Sequence, residues 1–65
     1  MIHRHRYDHA LRRAQDLAAL GHHQRAAEQA LDACFWAEND HDEAIAAVAA
    51  FIYACAPARE AATAA

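Results

Sequence analysis

Lysine is absent from this chain, glycine and proline occur once each, and no long apolar run is present. Each shortage excludes something. All the basic side chains are arginines, and nine acidic residues against six basic ones leave a net charge of −3. A nucleic-acid binder needs a broad basic face for phosphates, so nucleic acid is not an expected partner. Arg4, Arg6, Arg12 and Arg13 cluster near the start, but the acidic whole makes them a solvated helix face. A single glycine forbids most of the glycine-rich loops that cradle phosphate. A membrane span needs about 20 consecutive apolar residues, and a secretory leader needs a basic start followed by an apolar core. Neither pattern occurs, so no membrane partner is expected and the cytoplasm is the expected compartment.

Large apolar side chains are scarce too. Alanine fills 21 of the 65 positions. A methyl group buries little, because hydrophobic stabilisation scales at roughly 25 cal/mol per Å². The larger apolar residues are Ile2, Tyr7, Leu11, Leu17, Leu20, Leu31, Phe35, Trp36, Ile45, Val48, Phe51, Ile52 and Tyr53. So short a chain forms one domain and is marginal alone. Oligomerisation, metals, disulfides or very regular packing usually supply the shortfall.

What is present favours helix, since alanine is the strongest helix former. Helix one is expected from about His3 to Leu20, stopped by Gly21 as a C-terminal cap. Its apolar face is Tyr7, Ala10, Leu11, Ala14, Leu17 and Ala18, at helical spacing. Helix two is expected from about Gln24 to Glu38, with Ala26, Ala27, Ala30, Leu31, Cys34 and Ala37 buried. His22 and His23 straddle the turn before it and are expected to cap it. Helix three opens at Asp40, with Glu43 three residues on as in a capping box. Its expected inner face is Ala44, Ile45, Val48, Phe51, Ile52 and Cys55, and Pro57 is expected to end it. Short connections favour antiparallel neighbours. The expected fold is all-α: three antiparallel helices, up-down-up, in one domain over residues 1–56, with a flexible tail over residues 57–65.

The stretch DACFWAEND places Phe35 and the chain's one tryptophan, Trp36, near the end of helix two. Helical positions advance by about 100° per residue. If the helix runs unbroken to Glu38, Trp36 lies opposite the buried stripe, with Arg25, Gln29 and Asp32, while Phe35 lies on the flank. An exposed tryptophan beside arginine is a typical contact centre. If the last turn frays, Trp36 instead folds back over helix one. On helix three, Ala46, Ala49, Ala50 and Tyr53 lie away from the expected inner face. Small residues there would let another helix approach, so helices two and three are expected to carry a protein contact, with a homodimer or a foreign protein as partner.

The six histidines raise a second possibility. His5 and His9 stand four apart on one helix face, and His41 lies at the same end of an up-down-up bundle. Such a set could hold a divalent metal. The histidines also titrate near neutrality, and protonating all six would carry the net charge from −3 to +3. The cysteines point elsewhere. Cys34 and Cys55 lie roughly 15 Å or more apart along the helices, beyond the Cα separation of about 7 Å that a disulfide allows. Both are expected as reduced, apolar core residues, and no cysteine–histidine pair is placed for catalysis.

Residues 7–40 form one 34-residue unit that resembles a tetratricopeptide repeat. Ala14 and Leu17 stand where that family places small and large residues of its first helix, Gly21 matches the turn, and Ala26 and Ala33 match small residues of the second helix. His41 opens a third helix, as a following repeat or capping helix would, with NDHDEA at residues 39–44. Ala10 and Arg13 replace larger apolar residues of the pattern, and its closing proline is missing. The resemblance implies protein binding on a helical surface. Together these features lead to the expectation of a small non-catalytic interaction module without a cofactor, with a histidine metal-binding protein as the alternative.

Overall fold

The computed structural model describes residues 2–64, with side chains over residues 4–58. It is an all-α three-helix bundle: α1 spans Ile2–Ala19, α2 His23–Trp36 and α3 Asp40–Ala64. Helix α2 packs on both α1 and α3. One cluster joins Tyr7 and Ala10 of α1 to Ala33 of α2 and Ala46 of α3; a second joins Ala14, Ala30 and Ala50. Residue numbers rise together on α1 and α3 and fall on α2, so α2 is antiparallel to both. The bundle is an elongated slab of 46 × 21 × 12 Å.

Local chemistry explains the turns. Gly21 adopts φ 85°, the left-handed conformation that a residue without Cβ takes without steric penalty. The His22 amide donates to the Leu17 carbonyl at 2.9 Å and the Gly21 amide to Ala18 at 3.0 Å, the paired bonds of a Schellman motif. His22 precedes α2 but makes no side-chain capping bond, so its expected capping role is not found.

At α3 the cap sits one residue earlier than expected. Asn39 Oδ1 accepts from the Asp42 amide at 2.8 Å, and Asn39 Nδ2 donates to Asp42 Oδ2 at 3.2 Å. The reciprocal pair is therefore Asn39 with Asp42, rather than Asp40 with Glu43. Asp40, Asp42 and Glu43 all lie in the first turn, where the helix dipole favours negative charge.

Helix α3 also runs past its expected stop. Pro57 lies inside it, and the helix continues to Ala64. Proline forfeits one i→i−4 bond, but alanine-rich sequence on both sides favours propagation. Residues 57–64, expected as a tail, are thus helical, while Ala65 lies outside the described residues.

The core differs from expectation in one respect that governs the rest. Its buried apolar residues are Tyr7 and eight alanines: Ala10, Ala14, Ala26, Ala27, Ala30, Ala33, Ala46 and Ala50. Helix α1 buries the expected face. Helix α2 does so except that Leu31 is exposed and Ala33 takes its place inside. Helix α3 is turned the other way: Ala46 and Ala50 are inside, with Ala49 and Tyr53 packed against them, and Ile45, Val48, Phe51 and Ile52 face outward. The reason is space. The inner surfaces of α1 and α2 are alanine, so small meets small and the helices sit close around the Tyr7 ring.

Candidate interaction surfaces

The N-terminal ends of α1 and α3 are joined by a polar latch. The Tyr7 hydroxyl donates to the Asp42 carbonyl at 2.9 Å, and the Arg4 guanidinium donates to the Asp42 carboxylate. Asp42 is the buried charged residue of the described chain. Arg4 also reaches Asp8 at 3.4 Å and lies 5.1 Å from the centre of the Tyr7 ring. Burial raises the Tyr7 phenol above its ordinary value, with the Asp42 charge adding to the effect. These contacts make this end of the molecule a structural clamp.

Beside it lies a groove of about 520 Å³ between α1 and α2, lined by His5, Arg6, His9, Ala10, Arg13, Gln29, Asp32 and Trp36. Trp36 is the last residue of α2, and the next residue is already extended. Its ring packs against the Tyr7 cluster, with the Arg6 guanidinium 4.7 Å from its centre. Trp36 is half-buried. It folds back toward helix one and is not a free outward anchor, because the helix stops before Glu38. Gln29 and Asp32 share this groove, and Arg25 lies in an adjoining shallow depression with Arg13, Leu17, Glu28 and Gln29.

The third surface is apolar. On α3, Ile45 is 44%, Val48 57%, Phe51 70% and Ile52 44% exposed, and on α2 Leu31 and Phe35 are also open to solvent. Phe35 meets Trp36 edge-on at 5.0 Å between ring centres. Of the residues expected at a contact, Phe35 is outward, whereas Ala46, Ala49, Ala50 and Tyr53 already pack within this chain. The large exposed side chains of α3 therefore lie on the side opposite the expected contact face. Residues 44–58 contain no charged residue, so both sides of this helix are apolar and the sequence pattern does not choose between them.

The histidine set does not assemble. His5 and His9 line the α1–α2 groove and a shallow depression with Asp8 and Arg12, neither of which His41 joins. Among the described residues no three histidine, cysteine, aspartate or glutamate side chains converge as metal ligands would. Both cysteines are free and half-buried. The Cys34 thiol donates to the Glu43 carbonyl at 3.5 Å, and burial raises its pKa, with Glu43 adding to the effect. That makes it a poor nucleophile at neutral pH. Among the described residues no helix is long and apolar enough to cross a membrane.

Fold and surfaces together define a small all-α bundle that carries large apolar side chains on its outside. Neither a protein-family model, nor a curated protein, nor a solved structure matches the chain.

Proposed function

We propose that this chain is a small non-catalytic protein–protein interaction module, which docks through the outward apolar surface of α2 and α3. One observation carries the reading. Among the described residues Tyr7 is the one large side chain in the buried core, while Leu31, Phe35, Ile45, Val48, Phe51 and Ile52 stay exposed on those two helices. A contiguous apolar surface on a small protein marks a contact site. The tetratricopeptide resemblance points the same way. Two free thiols suit a reducing compartment such as the cytoplasm.

The test is to replace Val48 and Phe51 together by serine. On this reading the dilute chain keeps its helical circular dichroism, and association of the concentrated protein is lost. Loss of helix at dilution, in a protein that never associates, would make both residues part of the core and defeat the proposal.

A further inference from the structure

We infer that the outward face of α3 is covered by α3 of a second copy of this chain, running antiparallel. This rests on the interaction-module reading and names its partner. Three observations carry it. Ile45, Val48, Ile52 and Cys55 follow one another at spacings of three, four and three, the a/d repeat by which one helix seats against another. The surrounding residues 44–58 carry no charge, so a neutral, self-complementary face is what fits them, and a second copy supplies one. The face is also open along its length: Ile45 is 44%, Val48 57% and Ile52 44% exposed, with Phe51 70% exposed beside them.

The direction follows from charge. A parallel pair would bring together two first turns that each carry the exposed Asp40 and Glu43. It would also align two helix dipoles side by side. An antiparallel pair separates the acidic turns and opposes the dipoles. The repeat then matches Ile45 with Cys55 of the second copy, and Val48 with Ile52 of the second copy.

Cysteine cross-linking under a mild oxidant tests this, read on a non-reducing gel beside the solution mass. All variants carry Cys34→Ser. Keeping Cys55 alone should give little linked dimer, and adding Ile45→Cys should raise the yield at least tenfold. Val48→Cys with Ile52→Cys, in a Cys55→Ser background, repeats the test one layer further along, and circular dichroism checks that each variant folds. Efficient linking through Cys55 alone would mean a parallel pair and overturn the inference. A doubled mass with no linking in any folded variant would place the contact elsewhere and overturn it too, leaving the interaction reading standing. A single-chain mass at every concentration would remove the second copy as partner. The broader reading would then fail only if the serine variants also lost their fold.

Discussion

The orientation of α3 can be tested by two substitutions two residues apart. Ala46 is fully buried against Tyr7, Ala10 and Ala33, while Val48 is 57% exposed. Ala46→Leu forces three more carbons into a site built of small residues. Overpacking of this kind typically costs about 1–3 kcal/mol. A domain this small loses about 4–8 °C of melting temperature per kcal/mol, so the expected fall is roughly 4–24 °C. The total stability of such a chain is only about 3–10 kcal/mol, so the upper end would unfold a chain at the bottom of that range. Val48→Ser removes an exposed side chain and should cost no more than about 0.5 kcal/mol in the single chain. Thermal unfolding followed by circular dichroism, at concentrations where the mass is that of one chain, separates the two. If α3 instead buried Ile45, Val48 and Ile52, the order would reverse: Ala46→Leu would be tolerated, and Val48→Ser would cost about 2 kcal/mol or more through a polar group in a cavity. That reversal would refute both the fold of α3 and the surface drawn from it.

Other consequences are as specific. Tyr7→Phe removes the hydroxyl bond to the Asp42 carbonyl and should cost about 1 kcal/mol, measured by urea unfolding. The raised pKa values of Cys34 and Tyr7 mean that the folded state holds these protons more tightly than the unfolded chain. Their stabilising contributions are complete below the ordinary values of 9.0 and 10.0 and are lost as pH rises through the higher folded values. Melting temperature should therefore fall on the alkaline side, and Tyr7→Phe should weaken the later part of that fall. Gly21→Ala meets no atom within 4 Å, so its cost is the strained backbone alone, about 1–2 kcal/mol, with Gly21→Asn milder. Asn39→Ala removes the cap of α3 and should cost about 1 kcal/mol, again read from the melting temperature.

Much of this architecture was legible in the sequence, and the failures have a common cause. Helix one was readable because Tyr7, Leu11 and Leu17 are separated by arginine, aspartate and glutamine, so polarity marks its outer side. The turn at Gly21 was readable because its backbone demands glycine. Helix three offers no such contrast. Residues 44–58 are apolar on every side, and periodicity cannot choose between a row of alanines and a row of larger residues. Size suggests the larger row as core, but the alanine faces of α1 and α2 leave room only for the smaller. The same blindness placed Leu31 inside and Ala46, Ala49, Ala50 and Tyr53 outside. Trp36 turned on a single boundary: α2 ends there instead of at Glu38, and the ring folds onto the Tyr7 cluster. The histidine set rested on which ends of the helices meet, and a shared end does not bring side chains to one point.

The most direct test of the central claim is the mass in solution by light scattering, over a wide concentration range, with and without a metal chelator. An outward apolar face covered by a second copy predicts that the mass rises from 7.2 kDa toward twice that value. It also predicts that chelator changes nothing and that the Val48 and Phe51 double serine variant stays single. A mass that stays at one chain throughout would contradict the self-association, and a dimer that dissolves only with chelator would return the contact to the histidines.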